Sequence, residues 1–160
     1  MNKILIMCLV SVFVLSCGCT SVSSPSFAST TTLRNGQEKV TIMENGTPYF
    51  LNCKPGKTCY LNTPLIIINS GNVGIRTTPR LSYTVTDYAG FKVDSDSFHV
   101  DGMYPGDARE VLLEIHLGTY DDPKFKKITS HDLPIKWTFG SDSAMWTIPA
   151  SAFRHTPPAL

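Results

Sequence analysis

Glu110-Val111-Leu112-Leu113-Glu114-Ile115-His116-Leu117 (EVLLEIHL, residues 110–117) alternates with a two-residue period. Val111, Leu113, Ile115 and Leu117 fall on one side, and Leu112, Glu114 and His116 on the other. That is a strand with one face in a core. Upstream, Arg80–Asp87 repeats the pattern, with Leu81, Tyr83 and Val85 inward and Ser82, Thr84 and Thr86 outward. Working outward from these two segments, the same enrichment in β-branched and aromatic residues predicts strands over Lys39–Met43, Pro48–Cys53, Cys59–Asn62, Leu65–Asn69, Ser95–Val100, Ile135–Phe139 and Ala144–Ile148. No stretch keeps apolar residues at helical spacing over ten residues. The chain is therefore all-β, and short strands separated by Gly, Pro, Asn and Asp suggest a two-sheet sandwich or a barrel.

The turns carry their own chemistry. Asn45-Gly46 tolerates the positive φ of a tight turn and predicts a hairpin between Lys39–Met43 and Pro48–Cys53. Pro105-Gly106-Asp107 marks the turn before the strand at 110–117. At the far end, Gly140-Ser141-Asp142-Ser143 reads as a four-residue loop that sets Phe139 opposite Ala144, Trp137 opposite Trp146 and Ile135 opposite Ile148. The two indoles would then stack across the strands, either sealing the core or offering a ligand platform.

Cys53 and Cys59 flank Lys54-Pro55-Gly56-Lys57-Thr58. A symmetric hairpin puts Cys53 opposite Cys59 and Leu51 opposite Leu61, close enough for a disulfide. A metal pair or a redox pair fits less well. Five intervening residues do not match the C-x-x-C redox spacing, and no second ligand pair lies nearby in sequence.

The N-terminus indicates where the protein works. Lys3 precedes an apolar run, Ile4 to Leu15, followed by Ser16-Cys17-Gly18-Cys19-Thr20. The run is too short to span a bilayer and has the layout of an export signal. A cysteine after a small residue at this place resembles the lipobox of prokaryotic lipoproteins, which implies cleavage before the cysteine and a lipid on its thiol. Cys19 is favoured over Cys17, because cleavage there removes Cys8 and Cys17 and leaves Cys53 and Cys59 as an even pair. Ordinary secretion, with cleavage after Ser26-Phe27-Ala28, is the competing reading. The organisation expected is a signal over 1–18, a Ser/Thr-rich tether over 19–32, a β domain over 33–150 and a tail over 151–160.

Charge and residue placement narrow the function. The 160-residue chain has 14 Lys+Arg and 13 Asp+Glu, and losing Lys3 with the leader leaves 13 of each. A nucleic-acid binder needs a basic stripe; the longest basic run here is the short Lys124-Phe125-Lys126-Lys127 cluster, which reads as a solvated loop. His99, His116, His131 and His155 lack ligand spacing. His99 and Met103 together offer imidazole and thioether for copper, and Asp94, Asp96, Asp101, Asp121 and Asp122 offer oxygens for calcium without a calcium-loop pattern. No nucleophile elbow occurs. No catalytic residue, cofactor or metal site is expected.

Leu65–Leu117, about a third of the chain, contains Asn69-Ser70-Gly71-Asn72, Val85-Thr86-Asp87-Tyr88 and Tyr104-Pro105-Gly106-Asp107 in that order. The segment resembles the FxLYD and CARDB families of immunoglobulin-like envelope domains. The resemblance implies an immunoglobulin-like antiparallel sandwich serving as a binding or structural module. The expected protein is lipid-anchored in the cell envelope on the non-cytoplasmic side, and it contacts another envelope protein, with strand addition an available route. The alternative is a small exported metal-binding protein or enzyme built around His99, Met103 and His116.

Overall fold

The computed structural model describes residues 30–76 and 80–153. The signal, both candidate lipid cysteines, most of the tether and residues 154–160 lie outside them. Among the described residues the order is β1 (Thr31–Asn35), β2 (Glu38–Glu44), β3 (Tyr49–Leu51), β4 (Thr58–Asn69), β5 (Leu81–Thr86), β6 (Lys92–Phe98), β7 (Ala108–Thr119), α1 (Pro123–Thr129), β8 (Leu133–Phe139) and β9 (Asp142–Ile148), then a 3-10 turn at Ala150–Phe153. All strand pairs are antiparallel. One sheet runs β1-β2-β4, with β3 on the same flank of β4 as β2 and β7 on the other. The second runs β6-β5-β8-β9. With β2–β3 as A, β4 as B, β5 as C, β7 as E, β8 as F and β9 as G, the two sheets are A-B-E and C-F-G, the immunoglobulin-like arrangement. β6 extends the second sheet beside C.

The core is built from the alternation read in the sequence. Leu113, Ile115 and Leu117 of β7 and Leu81, Tyr83 and Val85 of β5 are buried, as expected. Leu61, Leu65 and Ile67 of β4 and Ile135, Trp137 and Phe139 of β8 are all buried in one apolar cluster. Among the described residues pairing begins at Thr31, and Ala152 and Phe153 are buried.

β4 departs from expectation. Cys59–Asn62 and Leu65–Asn69 are not two strands but one twelve-residue strand running through Thr63-Pro64. A central strand tolerates proline only where its missing N–H has no ladder partner. Backbone N and C=O of one residue point to the same flank of an antiparallel strand, and Pro64 O accepts from Asn45 N at 2.9 Å. The absent donor therefore faces Asn45–Pro48, the gap between β2 and β3. Asn45-Gly46 makes no hairpin. Glu44 pairs Leu65 and Tyr49 pairs Asn62, so four residues bulge opposite two and the chain continues along β4 in the same direction.

Two further registers are corrected. Phe50 pairs Leu61, and Leu51 pairs Tyr60 rather than Leu61. Asn52 adopts φ 58° and ends β3, which takes Cys53 off the ladder. The Cys53–Cys59 disulfide still forms, from loop to strand, with Cα atoms 4.4 Å apart. In the last hairpin the loop is Gly140-Ser141, not four residues. Trp137 pairs Ala144, and Ile135 pairs Trp146. A shift of two keeps every side chain on its expected face, and the indoles meet edge-on at 5.3 Å. Gly140 has φ 62°, and a Cβ there would collide with the Asn35 side chain.

The sheets meet at two corners, β6 beside β7 and β1 beside β9. Each corner has an aspartate on an edge N–H. Asp94 Oδ2 accepts from His116 N and Asp142 Oδ2 from Arg34 N, both at 2.9 Å. Edge donors capped this way are closed to further strands. Tyr83 Oη, on β5, donates to Glu114 O on β7 at 2.8 Å and ties the sheets together. Burial, then Asp94, Asp96 and Glu114, push the Tyr83 phenol well above the usual tyrosine range.

Two outcomes follow from these contacts. Cys53→Ala/Cys59→Ala should lose about 2 kcal/mol in urea denaturation, the closure entropy of so short a loop; a variant as stable as the parent would contradict the assignment. The folded-state pKa of Tyr83 lies above its unfolded value near 10. Its neutral form is favoured by folding, so its contribution is intact below pH about 10 and is lost as pH rises beyond it. Urea midpoints at pH 7 and pH 11 should differ less in Tyr83→Phe than in the parent, and an equal fall in both would contradict this.

Candidate functional site

α1 is short, but its start is well specified. Asp122 is the N-cap, its Oδ1 accepting from Lys124 N at 2.8 Å, and Pro123 follows at the first helical position. Phe125 is buried and packs on Tyr120 with ring centroids 5.3 Å apart. Lys126 and Lys127 occupy the last turn, where cations favour the helix dipole.

Facing α1 is the turn between β5 and β6. Asp87 Oδ1 accepts from Ala89 N and Phe91 N, each at 2.9 Å, and Asp87 N donates to Phe91 O at 2.8 Å. The carboxylate is consumed in holding the turn. Phe91 is left 72% exposed at its tip. Tyr88 stacks on His131 at 4.2 Å and lies under Lys127 Nζ, 5.2 Å from the ring centroid. This cation–π and stacking contact spans from the turn to the end of α1.

Between the helix, the turn and the β6–β7 edges runs a groove of about 540 Å³. Phe91, Val93, Leu117, Phe125 and Ile128 supply an apolar lining; Lys92, Lys124 and Lys127 stand around it, with Asp87 and Asp122, whose Oδ1 atoms accept from backbone N–H groups. An apolar trough with three ammonium groups against two carboxylates on its rim suits a ligand with a hydrophobic part and negative charge.

The residues singled out in the sequence lie elsewhere. Trp137 is fully buried and Trp146 is 3% exposed, so the indoles seal the core and offer no ligand platform. Facing positions on two packed sheets are dry, which sequence alternation alone could not distinguish from an exposed sheet face. His99, Met103 and His116 do not converge. His99 is exposed, 3.7 Å from Asp101; Met103 is 1% exposed inside the core; His116 stacks on Tyr60 at 5.3 Å on the outer face of its sheet. The metal or enzyme site built on them is not assembled. Among the aspartates, Asp94 caps His116 N, Asp121 Oδ2 accepts from Gly56 N, and Asp122 caps α1. No group of three His, Cys, Asp or Glu able to hold a metal occurs among the described residues. Cys19 and Cys17 lie outside them.

The motif Asn69-Ser70-Gly71-Asn72 has a structural task. Asn69 is buried, donates through Nδ2 to Val73 O and Met103 O at 2.9 and 3.0 Å, and accepts from Gly71 N at 3.0 Å. It fixes two loops at the end of the sandwich opposite the groove. The groove itself went unread because no single segment carries it; Asp122-Pro123, an N-cap followed by proline, was the available signal for α1.

Asp122→Ala should cost about 1 kcal/mol and speed amide exchange at Lys124, whose N–H bonds the Asp122 side chain. Unchanged exchange there would contradict the capping role. The chain matches no family model, no curated protein and no solved structure.

Proposed function

We propose that the protein is a lipid-anchored, non-catalytic binding or structural module of the cell envelope, held on the non-cytoplasmic side by an acyl group on Cys19. One observation carries this reading: the leader, with Lys3, the apolar run to Leu15 and Gly18-Cys19, ends twelve residues before the first paired residue, Thr31. A domain tethered so closely to a membrane surface works there. The likeness of Leu65–Leu117 to FxLYD and CARDB domains belongs to the same reading. So does the disulfide, a bond that persists in oxidising compartments.

The binding role is supported by surfaces the fold leaves open. Among the described residues β3 pairs along one flank only, leaving the other flank open, and its Tyr49 and Leu51 are 46% and 41% exposed. Another envelope protein could add a strand there. The groove beside α1 is a second surface.

Metabolic labelling with a fatty acid, followed by cell fractionation, tests the anchor. The parent and Cys17→Ser should carry label and sediment with membranes, whereas Cys19→Ser should lose the label and leave the membrane fraction. Label retained in Cys19→Ser would overturn the assignment.

A further inference from the structure

The end of the sandwich that carries the groove is the basic pole of the domain. Lys54 and Lys57 lie in the loop before β4, Lys92 opens β6, and Lys124, Lys126 and Lys127 lie on α1; all six are exposed. The elements are held together at this end. Tyr120 N donates to Lys57 O at 3.0 Å, and Gly56 N donates to Asp121 Oδ2 at 2.6 Å. Four aspartates share the end, and each is engaged by backbone N–H groups. Asp87 holds its turn, Asp121 the Cys53–Cys59 loop, Asp122 the helix start, and Asp132 accepts from Ala150 N at 2.7 Å. Six lysines against four aspartates leave +2 here. The rest of the chain, 14 − 6 = 8 basic against 13 − 4 = 9 acidic, is slightly negative.

Phe91 projects from the same pole at 72% exposure, with Tyr88 beside it at 48%. Exposed aromatics among lysines are suited to the boundary between lipid headgroups and acyl chains. A soluble polyanion would be met by the lysines alone and would leave Phe91 without a role.

The chain direction agrees. β1 runs from Thr31, level with Ile42 and Ile67, toward Asn35 beyond the Asn69 end of β4. Thr31 therefore lies on the Thr58 side of Asn35, the side of the basic pole. From the level of Ile67 to Thr58 is nine residues of strand, about 30 Å. The twelve residues from Cys19 to Thr31 reach about 40 Å at full extension. An anchor on Cys19 can thus lie in the same surface that the pole touches.

We infer that this pole, Phe91 with the surrounding lysines and the groove beside α1, docks the domain onto an anionic lipid surface. This rests on the acylated-anchor reading and deepens it, since the tether alone leaves the orientation of the domain unset. Lysines near a negative leaflet are attracted within a Debye length, so the contact weakens with salt.

The test uses acylated protein extracted from membranes and reconstituted in phosphatidylcholine vesicles with or without phosphatidylglycerol. Ala89→Cys places a thiol beside Phe91. Tyr104→Cys places one at the opposite end, where Tyr104 is 73% exposed. A membrane-impermeant maleimide should react about ten-fold more slowly at position 89 in the anionic vesicles than in the neutral ones, and equally in both at position 104. High salt, Phe91→Ser, or Lys124→Glu with Lys127→Glu should each restore the rate at 89. Equal rates at 89 in both vesicle types would overturn the docking, and protection at 89 only after adding a soluble acidic protein would reassign the pole to a protein partner. Failure of the parent to float with vesicles would instead overturn the anchor.

Discussion

β4 is the element on which the rest of the structure depends. It is the one strand of its sheet paired along its whole length on one side, to β7, and over most of its length on the other, to β2 and β3. A central strand must satisfy donors on both flanks, and Pro64 removes one of them. The bulge at Asn45–Pro48 removes the demand for that donor at the same level. From this follow the division of the first long edge into β2 and β3 and the approach of Cys53 to Cys59.

Much of the fold was legible because alternation is a local property. In Leu81–Thr86 and 111–117 the spacing of two set the buried face, and the structure agrees, with Val111 only partly buried. Faces survived even where registers did not. The Trp137–Trp146 hairpin slipped by two residues because Gly140 takes a positive φ and closes a two-residue turn, and an even slip preserves the side. The Leu51–Leu61 pairing slipped by one because Asn52 ends its strand early. With Phe50 opposite Leu61, Tyr49 and Leu51 fall on the exposed face.

What was not legible is long-range. Asn45-Gly46 has the composition of a hairpin turn, and only the pairing of both flanking strands to β4 makes it a bulge. α1 has too few residues for helical periodicity to emerge, and Phe125 with Ile128 forms a single turn of apolar face. The groove exists only where four separate segments meet. The clustering of Lys54, Lys57 and Lys92 with the lysines of α1 is likewise a product of folding, hidden in a chain whose overall charge is nearly zero. Asymmetry of charge, set by the fold, gives the domain two different ends.

Under the proposed function, an exported chain is trimmed to Cys19, acylated there and oxidised at Cys53–Cys59 before the sandwich works at a membrane. Intact-mass measurement of the protein extracted from its own membranes tests all three together. The expected mass is that of residues 19–160 plus acyl groups and minus two hydrogens. A species that retains residues 1–18, or one that starts after Ala28 without lipid, would contradict it.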